Sequence, residues 1–473
     1  MSNFVFYDFE TSSSNKYWGQ IIQVGAILTN DNLEELDRYE ARCRLSPGII
    51  PEAMALIVNK SSPKMLKSAN LSHYEMIRQF VDTLKRWGKA TYIGYNSIDF
   101  DEEFLRNTLF QTLEYPYLTS TNGNNRGDLL NLARAANLYY PNTLKNSISD
   151  KGNAVYKLDQ MAPLNGIEHS DAHSAIGDVI ATLGIAKIIA KKAPSVWKAS
   201  HLTTNKDETL KIIKNELYFC TNEYFYGKSR PYVQVYVCQH PKYQWPKCFD
   251  LRHDPKIYLD MPIAALKVEM GKNPKFLRTI RHNKHPIIMN PSYGNEFDEY
   301  KMIGVEKLAL RAKMIKENAK FAEKISQILK DEAEDKEQTK SQEDIYEEES
   351  IYTKFTSNED NKVMPEFHKA EWNQKLTVLN KIKDGRLHYF GKRLIYEEKP
   401  EALTKEDYNQ IRRTIAKRIL STNNEKWNTI PRTYSEIDTL REKFEREGKP
   451  ENLTILDDIN AYVEEMEKFY SAA

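Results

Sequence analysis

The stretch from Phe4 to Thr11 constrains the fold of this chain more than any other, because an apolar and aromatic run there ends in two carboxylates. Residues Phe4 to Tyr7 predict a buried β-strand. Side chains two positions apart project from the same face of a strand, so Asp8 and Glu10 are expected side by side. Two like charges held together are unfavourable unless a cation compensates them. The pattern is therefore typical of a site for a hard divalent ion such as Mg²⁺ or Mn²⁺, although a surface strand ending in two solvated acids fits it equally well.

A second acidic segment follows a short predicted strand and a glycine-containing loop at residues 91–97. It places Asp99, Asp101 and Glu102 at the start of a predicted helix. Asp99 followed by Glu102 fits a capping box, and acids are favoured near helix N-termini in any case. Taken alone, Asp101 is better explained as an acid of the first helical turn than as a metal ligand.

The third segment of interest, Asn165 to Asp178, leads into a predicted helix. His173 and Asp178 are five residues apart, which corresponds to about 140° of rotation on an α-helix. We therefore expect His173 to reach the position of Asp178 from its edge rather than to stack on it. That arrangement suits a general base beside a metal ligand.

Together these segments resemble the DEDDh exonucleases, and more closely the exodeoxyribonuclease I family. Short local sequences resemble this family rather than the wider superfamily, and the order of segments and the total length agree throughout. The resemblance therefore covers nearly the whole chain, most strongly up to about residue 190. The family motifs are an Asp-x-Glu on the first strand, an Asp after a Tyr-Asn loop and a His-x4-Asp; the matching residues here are Asp8 with Glu10, Asp101, and His173 with Asp178.

The resemblance implies a metal-dependent enzyme that hydrolyses single-stranded DNA from the 3′ end and releases 5′-mononucleotides, in DNA repair and recombination. It implies two Mg²⁺ ions, with Mn²⁺ as an alternative. Asp8 would bridge them, Glu10 and Asp178 would complete the shell of the first, and Asp101 would hold the second through water. His173 would take the proton from the attacking water, and Glu10 would also meet the terminal 3′-hydroxyl.

Two further positions are singled out by the same resemblance. Lys157 falls where relatives place a basic contact to the substrate, although a surface lysine explains it equally simply. Asp99 departs from the family, in which a basic or neutral residue is usual. This departure leaves open which acid among Asp99, Asp101 and Glu102 is the ligand, and the spacing to the Tyr-Asn pair favours Asp101.

Three domains are predicted, with boundaries at residues 1–193, 194–342 and 343–473. The first alternates strand-like and helix-like segments and predicts an α/β domain with a mixed sheet, which the resemblance makes a ribonuclease H-like exonuclease domain. The second contains β-branched and aromatic runs, and the resemblance implies an SH3-like β-rich domain with added helices. The third shows helical periodicity and predicts a C-terminal helical domain. Residues 343–360, rich in acids, are expected to form a flexible, solvated linker.

Composition agrees with an intracellular globular protein of 473 residues, 40% hydrophobic and 29% charged. No apolar run is long enough to span a membrane and the N-terminus shows no signal peptide, so we expect a cytoplasmic protein. We also expect it to be a monomer. The formal net charge of +1 excludes DNA binding by bulk positive charge. Binding to a single strand would need local patches of cations and aromatic rings, for which the candidates are Lys272 to His285, Arg386 to Arg393, and Arg412 to Arg418.

The four cysteines show no C-x-x-C pair, so reduced thiols are expected rather than disulfides. Cys238, His240 and Cys248 keep a zinc site as a weak alternative. The expected partner is single-stranded DNA, with a single-stranded DNA-binding protein as a candidate recruiter. Two other functions stay open: an RNA-trimming or proofreading enzyme of the same superfamily, which the long extension beyond residue 193 disfavours, and a non-catalytic adaptor, which the intact motifs disfavour.

Overall fold

The first domain is built on a five-stranded mixed sheet with the strand order β3-β2-β1-β4-β5. A computed structural model describes residues 3–169, 173–338 and 345–472. Strand β1 pairs antiparallel with β2 and parallel with β4, which confirms the predicted α/β class. The strands are β1 (Asn3–Thr11), β2 (Ile21–Thr29), β3 (Glu35–Arg42), β4 (Ala90–Gly94) and β5 (Asn125–Asp128).

Strand β1 separates two hydrophobic cores because its side chains alternate between the faces of the sheet. Phe4 and Phe6 pack into one core, and Val5, Tyr7 and Phe9 pack into the other. The helices on the two faces are α1 (Ala53–Val58), α2 (Pro63–Lys67), α3 (His73–Trp87), α4 (Asp101–Gln111), α5 (Leu129–Tyr139), α6 (Leu158–Leu164) and α7 (Ala175–Lys192), with a 3₁₀ turn at Leu118–Ser120.

The second domain contains a five-stranded antiparallel sheet of order β10-β6-β7-β8-β9, as the β-rich prediction requires. Its strands are β6 (Phe219–Phe225), β7 (Lys228–Gln239), β8 (Pro246–Asp250), β9 (Leu277–Thr279) and β10 (Ile288–Met289). Its helices are α8 (Pro194–Leu202), α9 (Lys206–Asn215), α10 (Ile263–Gly271), α11 (Pro291–Asn295), α12 (Asp298–Lys301), α13 (Val305–Lys316) and α14 (Ala319–Gln338), with a 3₁₀ turn at Pro255–Ile257.

One continuous hydrophobic core joins the first two domains. Phe4, Leu132 and Ile189 of the first domain belong to the same buried cluster as Val235 and Phe249 of the second. Separating the domains would expose this apolar surface to water, so the second domain is part of what stabilises the first.

The third domain is helical, as predicted, and packs against the first. Ile50 and Leu56 share a buried cluster with Ile430, Leu456 and Ile459. Its helices are α15 (Asn358–Lys369), α16 (Trp372–Leu379), α17 (Gly385–Glu398), α18 (Lys405–Ile419), α19 (Ile430–Glu447) and α20 (Pro450–Tyr470), with 3₁₀ turns at Glu347–Tyr352 and Pro400–Ala402.

The prediction of a flexible, solvated linker at 343–360 is wrong for residues 346–351, which are buried or half-buried, whereas residues 352–359 are mostly exposed as predicted. Glu348 is 2% exposed and forms an ion pair with Arg418, and Ile351 is buried among apolar side chains of the third domain. The Tyr352 hydroxyl donates a 2.9 Å hydrogen bond to Glu103 of helix α4. An acidic composition indicates solvation only when the charges have no partner, and here the partners come from distant parts of the chain.

None of the helices in the described part of the chain combines the length and the apolar content needed to cross a lipid bilayer. The four cysteines are all free thiols, and three of them are buried.

Candidate metal centre and nucleic-acid cleft

Three of the five predicted motif residues, all of them acids, converge on one point. One carboxylate oxygen from each of Asp8, Glu10 and Asp178 lies within 4.8 Å of the other two. A hard divalent cation prefers such oxygen ligands, so this set fits the metal that the motifs predict. Among residues 3–169, 173–338 and 345–472 no second group of three or more His, Cys, Asp or Glu side chains is close enough to hold an ion, which leaves the zinc alternative at Cys238 without support.

The pairing of β1 with β2 explains how helix α7 reaches the site. Asp8 lies opposite Gly25 in the antiparallel register. A Cβ atom at position 25 would lie 2.5 Å from the backbone carbonyl carbon of Ala175, the first residue of α7. Only a glycine allows the first turn of α7 to lie this close to the sheet, and that turn carries Asp178.

The carboxylates of this cluster repel one another when no cation is bound. Burial, followed by the nearby carboxylates of Asp101, Asp178 and Glu10, raises the pKa of Asp8 well above its ordinary value. Burial and the carboxylates of Asp178 and Asp101 raise the pKa of Glu10 to about 8. Such raised pKa values are expected where like charges are held together, and they favour a bound cation as the compensating charge.

Asp101 is the acid of its segment that faces the cluster. It is the first residue of helix α4 and is 4% exposed, and its Oδ1 accepts a 3.2 Å hydrogen bond from the amide of Phe9, between the two β1 carboxylates. Burial raises the pKa of Asp101 to about 8. Its oxygens lie outside the group of three that are within mutual reach of one ion.

The two neighbouring acids have other roles. Asp99 is exposed and pairs with Lys284 of the second domain at 2.7 Å. Glu102 is fully buried and accepts hydrogen bonds from Tyr7, Thr119 and Arg126 at 2.9, 2.9 and 3.1 Å. The capping-box explanation is wrong, because the residue before helix α4 is Phe100 and no side chain caps the helix.

Both histidines of the third segment contact Asp178, in different ways. His169 Nε2 lies 2.6 Å from Asp178 Oδ1, and its side chain is 1% exposed. His173 donates its backbone N–H to the same oxygen at 3.3 Å and lines the open cleft. His173 precedes the helix, whose N-cap is Ser174, and has a positive φ of 68°. The predicted helical rotation between His173 and Asp178 therefore does not apply, and a left-handed turn sets their relation instead.

A cleft of about 690 Å³ opens beside the carboxylate cluster. Asp178 and His173 are among the residues that line it, and the predicted substrate contact Lys157 also lines it, exposed at the start of helix α6. The remaining lining includes Tyr156 and Tyr224, whose rings meet edge to face with their centroids 5.8 Å apart.

Arg134 is the residue of this cleft that the motif search missed. Its guanidinium carbon lies 3.9 Å from the centroid of the Tyr224 ring, and its Nε has no hydrogen-bond partner among the described residues. The signal in the sequence is a single arginine on the otherwise apolar stretch Leu132 to Ala136 of helix α5. A cation and aromatic rings in one open cleft are what a single nucleic-acid strand requires.

The hairpin between β6 and β7 forms one rim of the cleft. Tyr226 and Gly227 form its two-residue turn, both with positive φ, and Tyr226 is 91% exposed. The Arg230 guanidinium carbon lies 5.3 Å from the centroid of the Phe225 ring. This tip therefore carries an exposed tyrosine ring and, beside it, an arginine that lies against Phe225.

Each of the three predicted basic patches contains cations that are paired or buried inside the protein, and the first and third also contain exposed cations. Within Lys272 to His285, Arg278 pairs with Glu223, and His285 is 4% exposed. Within Arg386 to Arg393, Arg386 pairs with Asp384 at 2.7 Å.

The third patch follows the same pattern, because Arg418 pairs with Glu348 and lies against the rings of Trp18, Tyr346 and Trp427. These cations stabilise packing within and between domains. The sequence does not indicate where the acidic partners of these cations lie. A count of basic residues along the chain therefore overestimates the positively charged surface of the folded protein.

Two protein-family models match the chain. One, described as Exonuclease, matches residues 5–186, and the other, described as Exonuclease I C-terminal domain, matches residues 343–466. Among curated proteins, exodeoxyribonuclease I of Buchnera aphidicola subsp. Acyrthosiphon pisum is 31% identical over 213 residues, which are 45% of this chain and 51% of that protein. Exodeoxyribonuclease I of Escherichia coli is 27% identical over 214 residues, 45% of each chain. The matched segment thus spans about half the length of these relatives.

Solved structures extend the likeness over the rest of the chain at the level of fold. Exonuclease I from Methylocaldum szegediense superposes with a TM-score of 0.82 at 19% identity, covering 99% of this chain and all of that one. E. coli exonuclease I in complex with a dT13 oligonucleotide gives a TM-score of 0.80 at 19% identity, covering 98% of this chain and all of that one. These matches confirm the ribonuclease H-like, SH3-like and helical domains. The chain thus matches an exonuclease model near one end and an exonuclease I C-terminal domain model near the other, and its fold is similar throughout to that of solved exonuclease I structures.

Proposed function

We propose that this protein is a metal-dependent 3′-to-5′ exonuclease that degrades single-stranded DNA and releases 5′-mononucleotides. The observation that carries the proposal is the convergence of Asp8, Glu10 and Asp178 beside a cleft that Asp178 lines together with an arginine and three tyrosines. A carboxylate cluster alone fits many hydrolases, and an aromatic cleft alone fits many binding proteins. Their combination within an exonuclease domain favours hydrolysis of a strand that lies in the cleft.

In this proposal the protein holds two Mg²⁺ ions, with Mn²⁺ as the alternative. Asp8 would be a ligand of both ions, Glu10 and Asp178 would help to hold the first ion, and Asp101 would help to hold the second. The ions would supply positive charge near the scissile phosphate and the attacking and leaving oxygens. His169 contacts Asp178 at 2.6 Å and keeps that carboxylate turned toward the cluster.

His173 acts as the general base, because its side chain borders the open cleft whereas His169 is enclosed. It takes the proton of a water molecule whose oxygen attacks the last phosphorus. The bond from that phosphorus to the 3′ oxygen of the preceding nucleotide breaks, and this oxygen takes up a proton. The products are a 5′-mononucleotide and a strand one nucleotide shorter with a free 3′-hydroxyl, which Glu10 meets in the next cycle.

Arg134, Lys157, Tyr156 and Tyr224 hold the strand that leads to the site. The guanidinium and ammonium groups neutralise phosphates, and the rings stack on bases, so binding is steeply salt-dependent with little sequence preference. A blunt duplex enters poorly because paired bases are not free to stack on the tyrosines. The predicted monomeric state, cytoplasmic location and recruitment by a single-stranded DNA-binding protein are part of the same proposal.

Cleavage assays on three substrates test the proposal. Labelled single-stranded DNA, blunt duplex DNA and single-stranded RNA of one sequence are incubated with Mg²⁺ or with EDTA. We expect rapid release of mononucleotides from the 3′ end of single-stranded DNA, slow attack on the duplex and RNA, and no cleavage in EDTA. Asp178→Asn is the matched inactive control, since it keeps the shape of the side chain and removes its charge.

The same assay separates the alternatives. Faster cleavage of RNA than of DNA would identify an RNA-trimming enzyme. Strand binding without cleavage in Mg²⁺ and Mn²⁺ would identify a non-catalytic adaptor, and either result would contradict the proposal.

A further inference from the structure

The loop at residues 96–99, which leads directly into Asp101, is held from two sides. Asp128 of the first domain accepts hydrogen bonds from the amides of Asn96 and Ile98, both at 3.2 Å. Lys284 of the second domain donates to the carbonyl of Ile98 at 3.1 Å and pairs with Asp99 at 2.7 Å. The loop needs such support because Asn96 has a φ of 62°, a left-handed conformation that costs energy for a residue with a side chain.

Asp128 is itself oriented by the second domain. Its backbone N–H donates to His285 Nδ1 at 2.9 Å, and His285 Nε2 lies 3.0 Å from the carbonyl of Ser200. Because Nδ1 accepts, Nε2 carries the proton and donates to Ser200, so the ring is neutral. Burial lowers the pKa of His285 to about 4, which agrees with this neutral form at physiological pH.

The preceding residue, Asn283, adds a third contact. Its carbonyl accepts a 3.4 Å hydrogen bond from Arg126, whose other terminal nitrogen pairs with the buried Glu102, next to Asp101. Residues 283–285 of the second domain therefore support the chain on both sides of Asp101: the 96–99 loop directly and through Asp128, and Glu102 through Arg126.

We infer that Lys284 and His285 are positioning residues for the metal site, which set the 96–99 loop and through it the carboxylate of Asp101. A shift of about 1 Å in a reacting group is enough to cost roughly 10²-fold in rate. The second domain is thus part of the catalytic apparatus of the first and not only a surface for the strand. The kinetic side of this inference rests on the proposed exonuclease activity, whereas its metal-binding side does not.

Lys284→Met tests the loop contact, because it keeps the length of the side chain and removes the ammonium. Lys284→Arg is the conservative variant, and Lys267→Met, at an exposed lysine of the same domain, is the matched control. We expect Lys284→Met to lower kcat on a short single strand about tenfold with little change in KM, the effect of losing one charge-assisted hydrogen bond. Lys284→Arg should recover most of the loss, and Lys267→Met should behave as wild type.

The matched pair His285→Asn and His285→Gln separates the two hydrogen bonds of the ring. The Asn carbonyl can still accept from the Asp128 amide, whereas the Gln amide can only replace the donor to Ser200. We expect His285→Asn to retain more activity than His285→Gln. Equal loss in both, or the reverse order, would overturn the role of His285 in orienting Asp128.

Two measurements are independent of turnover. Mn²⁺ binding, followed by electron paramagnetic resonance, should weaken several-fold in Lys284→Met, and amide exchange at Asn96 and Ile98 should accelerate while the thermal midpoint stays unchanged. Unchanged Mn²⁺ affinity and unchanged exchange would overturn the inference. If the wild-type protein cleaves no nucleic acid, the proposed function fails, and these two measurements still decide the inference.

Discussion

Replacing Glu10 with glutamine should stabilise the protein without metal and destabilise it relative to wild type with metal. In the absence of a cation the pKa of Glu10 is raised from 4.5 to about 8, chiefly by burial and then by the carboxylates of Asp178 and Asp101. Between these two pH values the folded protein keeps a proton on Glu10 that the unfolded chain has released. The free energy of unfolding therefore falls as pH rises through this window and is lowest above pH 8.

The magnitude follows from the size of the shift. One pKa unit corresponds to about 1.4 kcal/mol, so the charged form of Glu10 destabilises the folded state by at most roughly 5 kcal/mol above pH 8. The carboxylates titrate together, and protonation of one relieves the others, so we expect about 1–3 kcal/mol to be recovered in Glu10→Gln. This corresponds to a rise of a few degrees in the thermal midpoint.

Calorimetry at two pH values, in EDTA and in excess Mg²⁺, measures the effect. In EDTA the variant should match wild type near pH 4.5 and exceed it at pH 8.5. Saturating metal should reverse the order, because ligand at 1,000 times its Kd adds about 4.1 kcal/mol to wild type, more than the variant gains in EDTA, and adds much less to a protein that lacks one ligand. Glu40→Gln, exposed on the edge strand β3, is the control and should change neither curve.

A variant less stable than wild type in EDTA at pH 8.5 would refute the reasoning, since it would mean that Glu10 is favourably placed without a cation. A gain in stability of the same size at both pH values would refute an electrostatic origin of that gain. At sufficiently low pH Glu10 is protonated in both the folded and the unfolded protein, so the substitution removes no charge there.

Four further predictions concern the site and its surroundings. His173→Ala should lose roughly 10²- to 10⁴-fold in kcat while keeping metal and DNA binding, whereas His169→Ala should weaken metal binding as well; near-normal turnover in His173→Ala would show that the base is misassigned. Gly25→Ala should displace helix α7, weaken Mn²⁺ binding and lower the thermal midpoint, because the new Cβ would lie 2.5 Å from backbone; unchanged Mn²⁺ affinity would contradict this. Tyr224→Leu should raise KM for a long single strand by about tenfold, the equivalent of one lost stacking contact, and leave kcat nearly unchanged on a dinucleotide. The fragment 1–193 should aggregate or stay partly unfolded in gel filtration and circular dichroism, since its core continues into the second domain; a soluble, active fragment would contradict both the shared core and the positioning role of residues 283–285.

The placement of the two strand β1 carboxylates on one face was predictable because their relation is local. A strand repeats every two residues, so the positions of Asp8 and Glu10 on one face follow from the chain alone. The helical third domain was predictable for the same reason, since the periodicity of Tyr408 to Leu420 anticipates helix α18 within a few residues.

Relations between distant segments depended on the tertiary structure. The approach of Asp178 to Asp8 requires Gly25, whose position inside a strand was a signal for a close backbone contact that the motif search did not use. His169 contacts Asp178 through its ring and His173 through its backbone N–H, and the positive φ of His173 is a conformation that no helical periodicity describes.

Charge was the property that the sequence described least well. Arg278 and Arg418 looked like parts of open basic patches, and Glu348 looked like part of a solvated linker, yet all three are paired inside the protein. Arg134, a single cation in an apolar helix, lines the cleft instead. Composition counts charges, but the energy of a charge depends on its distance from the opposite charge and from water, and only the folded chain sets those distances.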